Sequence, residues 1–197
     1  SGSRRFVCCL VDGDIDFETP VQHDQVFAQL LQEIRQGDYI ALLDQDDFIE
    51  PDALYRVVLE LNMGARLIYT DEDKYDTKHD RYLRAYHKPG FDMELLLSNN
   101  YVCHFLVIER KLVNEVGGLR VEYDGAQDHD LILRCAEKLE RREIGHVSRV
   151  LYHWRIHEGS TAGDPAEKSY AHEAGKRAIE DYLKRNGKYG TVRRSEE

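Results

Sequence analysis

Three carboxylates, Asp44, Asp46 and Asp47, follow directly on the apolar run YIALL at residues 39–43, and Gly37 stands just before it. A run that short, bounded by turn residues, reads as a buried strand. Its carboxyl end delivers the acids to one rim of a sheet, the side on which open α/β sheets bind ligands. Crowded carboxylates repel one another, and one is pushed towards protonation unless a cation sits among them. A hard divalent ion with oxygen ligands, Mg²⁺ or Mn²⁺, relieves the repulsion and commonly also holds substrate phosphates. A solvated acidic turn leading into the next helix, with Pro51 at its first position, explains the same residues without chemistry.

A second acidic group follows another short apolar run: RLIYT at 66–70 is succeeded by Asp71, Glu72 and Asp73. A third, Asp124 to Asp130, leads into an amphipathic helical stretch with Leu131, Leu133, Cys135 and Leu139. There Asp128 falls in the first turn or cap, where the helix dipole favours its ionised form.

The elements that must carry these residues alternate along the chain. FVCCLV at 6–11 reads as a buried strand, residues 21–36 as an amphipathic helix, and 39–43 as the next strand, a parallel crossover unit. Residues 51–63 read as a second helix with Leu54, Val57, Val58 and Leu61 inward. Residues 74–89 read as a hairpin or long loop, 91–97 as a short helix and 101–108 as a buried strand. Residues 109–116 are helical, 144–154 form the last strand, and 166–186 a charged helix. The pattern predicts one α/β domain with a mixed, mainly parallel sheet flanked by helices.

Bulk composition narrows the classes. At 197 residues, 42% hydrophobic and 32% charged, the chain is ordinary globular protein. Its net charge of −10 argues against nucleic acid or an anionic membrane surface as main partner. The cysteines, Cys8, Cys9, Cys103 and Cys135, show no Cys-x-x-Cys spacing and read as small buried hydrophobes in a reducing compartment. No apolar run reaches transmembrane length. The expected location is cytoplasmic, including the inner face of a membrane.

Seven blocks stand in an order that resembles the family 2 glycosyltransferases, which have the GT-A fold. They are GDYIALLDQDD (37–47), IYTDED (68–73), KPGF (88–91), SNNYVCH (98–104), GGLR (117–120), DGAQDHDLILR (124–134) and LYHWRIHEGSTA (151–162). The resemblance implies a GT-A-like sheet, a nucleotide-sugar donor such as a UDP-sugar, a divalent Mn²⁺ or Mg²⁺ ion, and inverting transfer to a hydroxyl of a glycan or lipid-linked acceptor. The expected setting is bacterial surface polysaccharide synthesis. By the same resemblance Asp46 is the principal metal ligand and His157 helps hold the metal or diphosphate. Asp44 faces the ribose and diphosphate, Arg155 lies near the phosphates, and Asp128 is the general base. Asp71, Asp73, Asn100 and Trp154 are acceptor-side candidates. Plainer roles stay open beside these: a helix cap for Asp128, a surface histidine for His157, a solvated turn for Asp71 and Asp73, and packing for Trp154. Asp130 reads as structural, and His104 and His129 as weak candidates.

Relatives of that family begin with a longer strand-helix-strand half, whereas 36 residues precede Gly37 here. The expectation is a single domain over 4–186 that lacks its first strands, after an expression scar at 1–3 and before a frayed tail at 187–197. Lost strands would expose a sheet edge, so homo-oligomerisation is one expectation. A non-catalytic glycan-binding or oligomerisation piece is the alternative reading, and a metal-dependent phosphohydrolase a weaker one.

Overall fold

The structure is a computed structural model that describes residues 6–11, 38–44, 46–156 and 165–193, with the side chains of 6–11 and 165–169 excepted. Strand β1 (Phe6–Val11) pairs in parallel with β2 (Tyr39–Asp44). Between β2 and β4 (Leu67–Asp76) lies β6 (Leu106–Glu109), antiparallel to both. The long strand β7 (Ile144–Ile156) runs parallel to β4 on its other side, and the short β3 (Phe48–Ile49) closes that end. Strand β5 (Arg81–Tyr86) folds back on β4 as a hairpin. The sheet is mixed, and its two longest ladders, β1 with β2 and β4 with β7, are the parallel ones. The carboxyl ends of β1 and β2 and the amino end of β6 share one rim, beyond which β4 and β7 run on.

The strands bury both faces because their apolar residues alternate into two cores. Ile40, Leu42, Leu67, Tyr69, Leu106 and Ile108 belong to one, while Ala41, Ile68 and Val107 belong to the other. The second face is covered by α1 (Ala53–Asn62), whose Ala53, Val57 and Leu61 recur every four residues and are buried. Against the first face pack α2 (Met93–Ser98), α3 (Arg110–Glu115) and α4 (Gln127–Ala136), with Leu96, Leu112 and Leu131 inward. An outer helix, α5 (Pro165–Arg185), adds Ala178 and Tyr182 to that core.

Two expectations are corrected. The strand expected over 66–70 continues to Asp76, so Asp71 and Asp73 sit inside β4 and not in a turn after it. Its parallel partner β7 supplies His146, which bonds Asp71, and His153, which stands opposite Asp73 and bonds it, so the strand can carry charge into the sheet. The strand expected over 101–108 begins only at Leu106. Residues 101–105 form a loop held by buried Lys88, whose Nζ donates to the carbonyls of Val102, at 3.1 Å, and His104 and pairs with Glu72 at 2.8 Å. The expected helix over 21–36 lies outside the described residues.

Candidate active site

The site is assembled at the rim where β2 ends and α4 begins. Asp44 is the last residue of β2 and keeps about a third of its side chain exposed. Burial pushes its carboxyl up from the ordinary value; His104 opposes the rise, and the charges of Asp47, Asp46 and Asp128 add to it. His104 Nε2 lies 3.8 Å from Asp44 Oδ2, and the imidazole stacks on Tyr152 at 5.0 Å. Asp47 faces inward, buried: its Oδ2 accepts from the Tyr152 hydroxyl and its Oδ1 from the Arg155 backbone N–H at 2.8 Å. The Tyr152 hydroxyl in turn accepts from the Asp44 backbone N–H at 3.3 Å. Asp47 therefore fastens the acidic turn to β7 and leaves Asp44 and Asp46 as the outward acids.

Asp128 is the second residue of α4, so the helix dipole supports its carboxylate. The Asn100 side-chain amide donates to its Oδ2 at 2.7 Å, and the Cys103 thiol lies 3.7 Å from the same oxygen. The turn before α4 needs Gly125, which has φ of +84°. A Cβ there would meet the Tyr170 ring at 2.4 Å and the Ala171 backbone at 3.1 Å. Asp130, fully buried, accepts from Arg120 and Arg134. Arg134 reaches on to the carbonyls of Val116 at 2.6 Å and Gly118 at 2.7 Å. Burial raises the Asp130 carboxyl, but the two guanidinium groups outweigh it and hold it below the ordinary value. This ion cluster locks the first turn of α4 against the loop at 117–120.

Asp44 and Asp128 line one cleft of about 200 Å³ together with Leu42, Cys103, His104, Gly125 and Gln127. Of the other expected residues, Asn100 stands against Asp128 and the rest are dispersed. Asp46 is part-buried beside Asp44 but is not in the cleft lining. Arg155 is exposed, with its guanidinium 5.1 Å from the centroid of the Phe48 ring. Trp154 is part-buried, edge-on to His104 at 5.8 Å, with Lys74 Nζ 4.5 Å from its ring centroid. His157 lies outside the described residues. Asp71 is fully buried between His146 (2.7 Å), His87 (3.1 Å) and the Lys88 backbone N–H (3.0 Å). Asp73 pairs with His153 Nδ1 at 2.7 Å, and His153 Nε2 is 3.2 Å from Glu50. Neither acid occupies a solvated turn, and full burial takes Asp71 out of reach of an acceptor. Sequence reasoning gave His104 and Cys103 too little weight; the signal for both was their place in the SNNYVCH block. Among the described residues no three His, Cys, Asp or Glu side chains gather as a metal cage.

The family model for glycosyl transferase family 2 matches residues 32–117, a span that contains Asp44, Asn100, Cys103 and His104. The matched span is that of a family 2 glycosyltransferase. An uncharacterized protein of Sinorhizobium fredii, y4gI, is 46% identical over 155 residues, 78% of this chain and 17% of y4gI. The O-antigen biosynthesis protein RfbC of Myxococcus xanthus is 39% identical over 158 residues, 79% of this chain and 12% of RfbC. The chain thus spans less than a fifth of either relative. A crystal structure of S. aureus TarS, residues 1–349, aligns with a TM-score of 0.52 at 12% identity, over 88% of this chain and 55% of TarS. The chain therefore shares the fold of that structure, GT-A-like and mixed. Among its described residues no helix is long and apolar enough to cross a membrane.

Proposed function

We propose that the protein transfers a sugar from a nucleotide-sugar donor to a hydroxyl of a growing glycan, with inversion at the anomeric carbon, in polysaccharide assembly. One observation carries the reading: Asp44 and Asp128, from the first and sixth of the seven blocks, line a single cleft. At about 200 Å³ it holds part of a donor rather than all of one, since pockets for whole drug-sized ligands run to roughly 300–1,000 Å³.

In this mechanism the acceptor O–H gives its proton to the Asp128 carboxylate as its oxygen forms a bond to the anomeric carbon. The bond from that carbon to the diphosphate oxygen breaks, and its electron pair leaves with the nucleoside diphosphate. Asp128 serves as general base because a free hydroxyl is a poor nucleophile and a positioned carboxylate removes its proton during attack. Asp44 orients the ribose and diphosphate side. The donor chemistry at the end of β2 suits a hard divalent cation: a carboxyl already pushed up, with Asp46 and Asp47 adding negative charge. Asp44 and Asp46 would hold Mn²⁺ or Mg²⁺, with His157 as a further ligand and Arg155 beside the phosphates. When bound, the ion supplies neutralisation of the charge that develops on the leaving diphosphate.

Calorimetry with UDP, with and without Mn²⁺, tests the binding half of this reading, and nucleotide release from a panel of UDP-sugars tests the chemistry. Metal-dependent binding and turnover that Asp128→Asn abolishes are expected. Full turnover by Asp128→Asn, or equal UDP binding in the presence of a chelator, would overturn it.

A further inference from the structure

Asp128 is held in an asymmetric way. Among the described residues, the Asn100 amide at 2.7 Å and the Cys103 thiol at 3.7 Å approach the same oxygen, Oδ2. Asn100 and Cys103 sit on the 101–105 loop or at its entrance, and Lys88 pins that loop through two of its carbonyls. The thiol stays protonated and able to donate, because burial, followed by the charges of Asp128 and Glu72, raises it well above its ordinary value. Asp128 and Cys103 both line the cleft that Asp44 shares. We propose that Asn100, assisted by Cys103, is a positioning residue that engages Asp128 Oδ2 and leaves Oδ1 as the atom that takes the acceptor proton.

The physical case is one of orientation. A carboxylate on a two-torsion side chain can rotate, and a base that must meet an O–H in line loses rate steeply when it is misplaced. An amide donor 2.7 Å from one oxygen, backed by a loop tied to buried Lys88, fixes the rotation before substrate arrives. The Asn100 Oδ1 atom is itself shielded from solvent without a hydrogen-bond partner among the described residues. The side chain is thus held for what its Nδ2 does. This inference rests on Asp128 being the base, and the two can fail separately.

A double-mutant cycle tests the contact without any need for turnover. Asn100→Ala, Asp128→Ala and the double variant are unfolded with urea, and coupling worth about threefold or more in the unfolding constant is expected. Coupling indistinguishable from zero overturns the assignment. Kinetics then test the role. Nucleotide release from the UDP-sugar that the native protein turns over should fall in kcat by about ten- to a hundredfold in Asn100→Asp, which keeps the shape, removes the donor and sets a second carboxylate against Asp128. That is the size of one hydrogen bond to a charged group. Donor KM should stay within about twofold, as expected for an interaction realised at the chemical step. Cys103→Ser, which retains a donor, should keep more activity than Cys103→Ala. A rise in KM with kcat unchanged in Asn100→Asp overturns the proposal even though Asp128 remains the base. An active Asp128→Asn removes the base assignment itself.

Discussion

Asp44 and Asp128 carry the same side chain in opposite surroundings, and the difference separates their tasks. Asp44 is crowded by Asp46 and Asp47 and faces a histidine. Asp128 receives an amide donor and a thiol at the start of a helix, contacts that orient its carboxylate. Asp44→Asn is therefore expected to weaken Mn²⁺-dependent UDP binding by about tenfold or more, the scale of one charged contact. Asp128→Asn should leave that binding intact while lowering transfer by about 10²–10⁴, the usual worth of a general base. Calorimetry and nucleotide-release kinetics read the two effects apart. Both acids were legible in the sequence, because a carboxylate at a strand end or a helix start announces its position through local pattern. His104 showed only as part of the SNNYVCH block, because its contacts reach Asp44 and Tyr152, residues 60 and 48 positions away.

The elements explain which parts of the fold could be read in advance. The strand expected over 39–43 shows as a short bounded apolar run and the helix expected over 51–63 by its period; they form over 39–44 and 53–62. The acids of β4 misled because Asp-Glu-Asp after an apolar run resembles a solvated turn. The pairing with β7, which brings His146 beside Asp71 and His153 beside Asp73, and the His87 and Lys88 contacts to Asp71 make them tolerable within a strand. The 101–105 loop misled in the converse way, since its residues are apolar enough for a strand but are tied down by a lysine. Lys88→Met tests that tie. It leaves the carbonyls of Val102 and His104 and the Glu72 carboxylate without their cation, a loss on the order of 3–5 kcal/mol for breaking a buried charged pair. Urea denaturation measures that loss, and nucleotide release should fall along with it because Cys103 and Asn100 lose their anchor. Gly125→Ala probes the other wall of the cleft. Its positive φ and the approach of the Tyr170 ring predict destabilisation of about 1–3 kcal/mol, read as a lowered Tm.

Across the whole molecule, the functional rim rests on the core beneath α4, and that core contains titratable groups with opposing responses to acid. His129 is buried and donates its Nε2–H to the Leu96 carbonyl at 2.8 Å, which joins α2 to α4. Burial lowers its pKa, outweighing that hydrogen bond and the nearby charges of Asp128 and Asp130, which raise it. With the folded value depressed, the unfolded chain takes up a proton near pH 6.5 that the folded chain refuses, so this group's contribution is full above that pH and is lost as pH falls. Asp130, also depressed, acts in the same direction but lower, as pH falls below about 4, the range of an unperturbed Asp. Asp47 and Asp73 work against both: burial raises their carboxyls, so protonation on acidification favours the folded state. A single stability curve mixes these contributions, and His129→Gln separates one of them while keeping a donor for Leu96. Between pH 7 and pH 5 the native protein should lose stability to urea more steeply than the variant, by no more than about 1.4 kcal/mol per pH unit, the limit for one proton. Parallel curves would mean that His129 titrates alike in both states, and the junction between α2 and α4 would then be open to water.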